Sequence, residues 1–237
     1  MRGSNRFLRS CASAVALLLL ASAPVGAEID PANPTCPKQL NWSTYPVMRF
    51  TLDTSSGGRV LRAEGQIDED APARLQEALD ANKPIDEIWL RSPGGDARAG
   101  NAAGKIIRQA GIPTRIPNGW ACFSACNFVF MGGAVRFVDP QGLFVVHMFT
   151  HLGDKEAVRQ EINQGTDQAI DLIGDVEQDS ALLASEDNDF LIRMGVSRKL
   201  LTDVMYRQKA IAEADDKSTR RCLTPEETVK YNVANAH

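Results

Sequence analysis

Between Val47 and Phe149, short apolar stretches of strand character alternate with stretches of helical character, and glycine marks several of the hand-overs. A chain built that way can bury its apolar residues only as a sheet flanked by helices. Val47-Met48-Arg49-Phe50-Thr51-Leu52 alternates like a half-buried strand. Gly57-Gly58 reads as a hairpin turn, and Arg59 to Ile67 as its partner strand. Ala71 to Asn82 reads as a helix, with Leu75 and Leu79 four apart on one face. Glu87-Ile88-Trp89-Leu90 is a buried strand that runs into Ser92-Pro93-Gly94-Gly95, and Ala97 to Ala110 follows as a helix. Ile112 to Ile116, Val135 to Val138 and Gly142 to Phe149 read as strands, and Ser124 to Met131 as a buried helix.

Beyond His151 the pattern turns helical. Lys155 to Val176 carries Val158, Ile162, Ile170 and Ile173 at helical spacing, and a second helix is expected from Ala181 to Met194. Val196 to Tyr206 and Glu226 to Tyr231 complete this part. Residues 151–214 are thus a mostly helical extension of one domain spanning 47–237. The sequence holds no internal repeat and no low-complexity tract.

The N-terminal 27 residues stand apart. Arg2, Arg6 and Arg9 precede the apolar stretch Ala12 to Ala23, and Pro24-Val25-Gly26-Ala27 offers small residues for cleavage. This is the layout of a signal peptide, with a mature chain from Glu28 and a periplasmic or secreted destination. The apolar stretch is too short for a stable membrane anchor, and Cys11 lacks the small-residue setting of a lipoprotein site. Glu28 to Pro46, with Pro31, Pro34, Pro37 and Pro46, is expected to be an extended arm. The whole chain carries a formal charge of −4, and removing residues 1–27 takes away three arginines and no acid. An acidic chain without a long basic run argues against nucleic acid or an anionic membrane as the main partner.

Four cysteines remain: Cys36, Cys122, Cys126 and Cys222. In an oxidising compartment they suggest two disulfides, with three connectivities to choose from. Their spacing is too wide for the paired ligands of a structural zinc site.

Three features carry chemistry. Gly94 and Gly95 can turn the backbone so that an N–H faces outward, where it would stabilise an oxyanion. Gly119-Trp120-Ala121-Cys122-Phe123-Ser124-Ala125-Cys126 places a serine at an expected helix start, where the Ala125 N–H and the helix dipole favour an alkoxide. His147, in Phe144-Val145-Val146-His147-Met148-Phe149, is the natural imidazole base for Ser124, because the other two histidines outside the leader are His151 and His237. On a strand, His147 and His151 lie too far apart to share a metal ion, and neither metal nor cofactor is expected.

Taken together, these residues resemble the ClpP/crotonase superfamily, and within it the proteolytic subunit of the Clp protease. Glu64-Gly65-Gln66-Ile67-Asp68 looks like that family's strand and turn before its first long helix. Ser92-Pro93-Gly94-Gly95 with Ala99-Gly100 looks like its oxyanion loop, Gly119 to Ala125 like its nucleophile turn, and Arg136-Phe137-Val138 through His147 like the strand carrying its histidine. The resemblance covers roughly Val60 to Phe149. It implies a repeated β-β-α superhelix with a helical C-terminal extension, and a serine peptidase with Ser124 as nucleophile, His147 as base, and Gly94 and Ala125 as oxyanion donors. A weaker match before Leu223 to Tyr231 implies Asp216 as the third member of the triad, with Asp215 as the adjacent alternative.

Some positions depart from that family. Cys122 and Cys126 flank the serine, and pairing them with Cys36 and Cys222 would lock the site to the arm and the C-terminal helix. A direct Cys122–Cys126 bond would strain a helix start. The stretch between His147 and Asp216 is longer than in the family, which leaves a homo-oligomeric ring open. An exported protein meets no ATP and no Clp ATPase, so the implied substrates are peptides or unfolded protein. Two other readings differ in class. One is a binding or assembly protein of the cell envelope that keeps the fold with little turnover. The other is a crotonase-like acyl-thioester enzyme, against which export counts.

Overall fold

The computed structural model describes residues 28–55, 57–149, 155–209 and 218–236. The expected signal peptide, His151, Asp215, Asp216 and His237 lie outside them. The elements run in chain order as β1 (Ile29–Asp30), β2 (Asn33–Pro37), β3 (Arg49–Asp53), β4 (Val60–Glu64), α1 (Ala71–Asn82), β5 (Glu87–Arg91), α2 (Ala97–Ala110), β6 (Thr114–Ile116), β7 (Ala121–Phe123), α3 (Cys126–Met131), β8 (Arg136–Val138) and β9 (Leu143–His147). Then come α4 (Lys155–Gln164), α5 (Thr166–Met194), α6 (Lys199–Asp203), a 3-10 turn (Met205–Arg207), β10 (Arg220–Cys222) and α7 (Pro225–Lys230).

The result is a mixed α/β fold. Strands β3-β4-β5-β6-β8 form one sheet; the β3/β4 hairpin is antiparallel and the remaining pairs are parallel. A smaller sheet has the order β10-β9-β7, with β7 parallel and β10 antiparallel to β9. The β3/β4 hairpin and helices α1 and α2 fall where the apolar periodicity expects them. Leu75 and Leu79 of α1 are buried, as are Ala103 and Ile107 of α2. Asp96 caps α2 by accepting the Ala99 N–H at 2.6 Å.

Glycines set how closely α2 meets α3. A Cβ on Gly100 would stand 2.6 Å from the Ala125 carbonyl oxygen, and one on Gly104 would stand 2.3 Å from that of Phe128. Only hydrogen at these two positions lets α3 lie flat on α2, beside the loop that carries Ser124.

Four expectations need correction. The helical region after residue 155 divides at Gly165, where φ is 146°, and continues as one 29-residue helix rather than breaking before Ala181. The strand through His147 ends there instead of at Phe149. Two short strands, β7 and β10, are not legible in the sequence, because neither Ala121-Cys122-Phe123 nor Arg220-Arg221-Cys222 shows an apolar alternation. The proline-rich arm is extended but folded back on itself as the β1/β2 hairpin.

The arm is held by a disulfide between Cys36 and Cys222, with Cα atoms 5.1 Å apart. Alongside it, Asn33 accepts the Arg220 N–H at 2.6 Å and Thr35 the Cys222 N–H at 3.1 Å. At the other end, the fully buried Arg136 donates to the carbonyl oxygens of Val233 (2.7 Å), Asn232 (2.8 Å) and Gly133 (3.0 Å). Burial and the nearby Arg108 lower its pKa to about 10. Among the described residues, no helix is long and apolar enough to cross a membrane.

Replacing Arg136 with leucine would leave several buried carbonyls unpaired and should cost about 2–4 kcal/mol. Urea unfolding should show a lower midpoint with an unchanged slope.

Candidate active site

Strand β7 delivers Ser124. Its three residues pair with β9 in the register Ala121↔Leu143, Cys122↔Phe144 and Phe123↔Val145. Ser124 follows with φ +58°, in the left-handed region that an L side chain disfavours, and α3 begins two residues later. Such a residue stores roughly 1–3 kcal/mol and persists only where its surroundings impose it. The Ser124 N–H donates to Val145 O (3.3 Å), and its carbonyl accepts the Asn127 N–H (2.9 Å). The Asn127 side chain also donates to Val145 O, at 2.8 Å. The serine therefore stands in a sharp strand-to-helix turn, not inside the helix start expected from the sequence.

That turn explains the second disulfide. Four residues of extended strand would separate Cα atoms by about 13 Å. The reversal at Ser124 brings Cys122 and Cys126 to 5.3 Å, and they are bonded to each other. The expected cross-pairing with Cys36 and Cys222 is thus replaced by two separate bridges. The expectation of strain assumed a continuous helix, and the left-handed residue removes that assumption. Both cysteines are buried, so a covalent clasp closes beneath the serine.

His147 ends β9, two residues beyond Val145 and so on the same face of the sheet. Its Nε2 lies 2.6 Å from Ser124 Oγ. On the other side of the ring, Nδ1 lies 3.1 Å from Ser218 Oγ, a buried hydroxyl just before β10. Strand β10 places it there through the antiparallel register Arg220↔His147. A proton on Nδ1, donated to Ser218 Oγ, leaves the Nε2 lone pair to accept the Ser124 hydroxyl proton. Ser218 was missed in the sequence, where a serine in a polar loop has nothing to mark it. Phe123 lies against the imidazole with ring centroids 4.7 Å apart, and Trp42 of the arm stacks on Phe123 at 5.6 Å.

The loop Ser92-Pro93-Gly94-Gly95 runs beside this turn. Ser92 bridges Cys122, donating its N–H to Ala121 O and accepting the Phe123 N–H, both at 3.1 Å. Gly94 takes φ +85°, and a Cβ there would stand 2.6 Å from both Phe123 O and Ser124 Cβ. Its expected role as an oxyanion donor meets an obstacle, because its N–H is already donated to Ser92 Oγ at 3.0 Å. The N–H of the next residue, Gly95, makes no hydrogen bond among the described residues, and neither does that of Ala125. Gly94 is needed for close approach, and the available donor of the loop is Gly95.

Among the described residues, no group of three or more His, Cys, Asp or Glu side chains is placed to hold a metal ion. The chemistry open to the site is proton transfer from Ser124 to His147 beside two unengaged backbone donors. No family model and no curated protein matches the chain. Among solved structures, it is similar to a mutant ClpP1 from Listeria monocytogenes at 16% identity, over 74% of this chain and 88% of that one, with a TM-score of 0.47.

A Gly94→Ala protein should fold, by circular dichroism, yet lose at least about 100-fold in its labelling rate with a fluorophosphonate. The added methyl displaces the serine, and a displacement of about 1 Å costs that much.

Proposed function

We propose that the protein is an exported, ATP-independent serine hydrolase of ClpP-like architecture, acting on peptides or unfolded protein. The single observation that carries this reading is the Ser124 hydroxyl, held at φ +58° with its oxygen 2.6 Å from His147 Nε2. A serine that only caps a helix needs neither the left-handed backbone nor the imidazole.

In this mechanism, Ser124 Oγ attacks the acyl carbon while its proton passes to His147 Nε2, and the carbonyl π electrons move onto oxygen. The N–H groups of Gly95 and Ala125 receive that oxyanion. The tetrahedral adduct collapses, the bond to the leaving amine breaks, and His147 returns the proton to the amine. Water, deprotonated by the same imidazole, then cleaves the acyl-serine and restores the hydroxyl. Ser218 holds the ring in the productive tautomer. Asp216 lies two residues before Ser218 in the sequence, and we assign it the support of the protonated imidazole. Export is part of the proposal, motivated by the basic and apolar start of the chain and by the two disulfides.

The oxidised protein should be labelled by a fluorophosphonate, and both Ser124→Ala and His147→Ala should abolish labelling. A wild-type protein that resists the reagent, before and after mild reduction, would overturn the assignment in favour of a binding protein.

A further inference from the structure

One buried charge plays no part in the mechanism above. Asp187, on α5, is only 8% exposed, and its carboxylate receives no hydrogen bond or ion pair from the described residues. It is not packed into the core but lines a cavity of about 300 Å³. An uncompensated carboxylate in such surroundings is costly. Burial, with Glu186 beside it, raises its pKa to about 7. Tyr206 closes the cavity nearby and is itself raised to about 12 by burial and by the Asp187 charge.

The cavity adjoins the candidate catalytic residues. Its wall on one side is Met148 and Phe149, the two residues directly after His147. Opposite, Leu183 and Asp187 face it from α5, and the small Ser180 and Ala184 leave the space open. Helix α5 is tied to the first turn of α2 by the Arg98–Asp179 ion pair at 3.1 Å, and α2 starts immediately after Gly94-Gly95. The cavity thus lies between the segment directly after the strand of the base and α5, the helix tied to the start of α2. A side chain on the acyl side of a bond held at Ser124 has this space to enter.

We propose, building on the hydrolase reading, that this cavity receives the substrate side chain on the acyl side of the scissile bond, and that Asp187 selects a basic one, lysine or arginine. The apolar walls suit the aliphatic stem of such a side chain, and the carboxylate its cationic end. A guanidinium can engage both carboxylate oxygens. Occupation by a cation compensates a charge that the protein leaves uncompensated. A metal ion is a poor alternative occupant, since one carboxylate supplies too few oxygens for calcium or magnesium.

Two measurements test this, and together they separate failure of the pocket from failure of the hydrolase reading. The first is calorimetric binding of benzamidinium to the Ser124→Ala protein, which needs no turnover. Binding is expected, weakened about 10- to 100-fold by Asp187→Asn and retained by Asp187→Glu. The second is kcat/KM for peptide coumarin amides ending in arginine, lysine or leucine. The basic substrates should lead, and Asp187→Asn should reverse the ranking. Preference for leucine by a protein that still reacts with fluorophosphonate, or benzamidinium binding indifferent to Asp187, would overturn the pocket and leave the hydrolase intact. Absence of fluorophosphonate labelling would overturn both as enzymology.

Discussion

Ser124 occupies a backbone conformation that its own Cβ disfavours, and the site depends on the neighbours that hold it there. The carbonyl of Val145 takes both its N–H and the Asn127 amide. The Cys122–Cys126 bond closes the loop from below, and Gly94 fits against it from the side with no room for a methyl group. Because several independent contacts impose the geometry, its strain of a few kcal/mol is spread over the fold and need not relax. In return the hydroxyl stands clear of both the strand and the helix, where an imidazole can reach it.

The smaller sheet carries that geometry across three strands. Its three strands are adjacent in the order β10-β9-β7, so Ser218, His147 and Ser124 fall in line across it. Strands in a sheet lie about 4.8 Å apart, a spacing that an imidazole ring can bridge to a hydroxyl on each side. The Cys36–Cys222 bridge and the arm hydrogen bonds fix β10, one of the two edge strands of that sheet. The arm therefore contributes to the site from a distance, by fixing the strand that places Ser218 against the imidazole. It also contributes directly, through Trp42 on Phe123.

Helix α5 belongs to the same construction. Arg98 pairs with its Asp179, the helix is buried at Leu183, Phe190, Leu191 and Met194 beyond that point, and Phe190 packs edge-on against Phe128 of α3 at 5.3 Å. Anchored at these points, one turn of α5 brings Asp187 towards the segment that follows His147.

Much of this was legible in the residues themselves. The hairpin, α1, β5 and α2 follow from apolar period and turn chemistry, which are local properties of a few neighbouring residues. Ser124, His147 and the glycine loop could be named from the residues too: histidine is scarce in this chain, and Ser124 and Gly94-Gly95 lie at strand-to-helix turns. The sequence alone could not choose among three disulfide pairings, and the strain expected of a helix start counted against the observed one, since the left-handed turn at Ser124 is imposed by contacts from β9, Gly94 and α3. Nor could it separate Gly94 from Gly95, because the choice rests on a single hydrogen bond to Ser92. Ser218 and Asp187 are ordinary residues in polar stretches, and they acquire meaning only from what faces them. Local periodicity is written along the chain, whereas the pairing of distant groups depends on how strands and helices pack, and that was decided only in the tertiary structure.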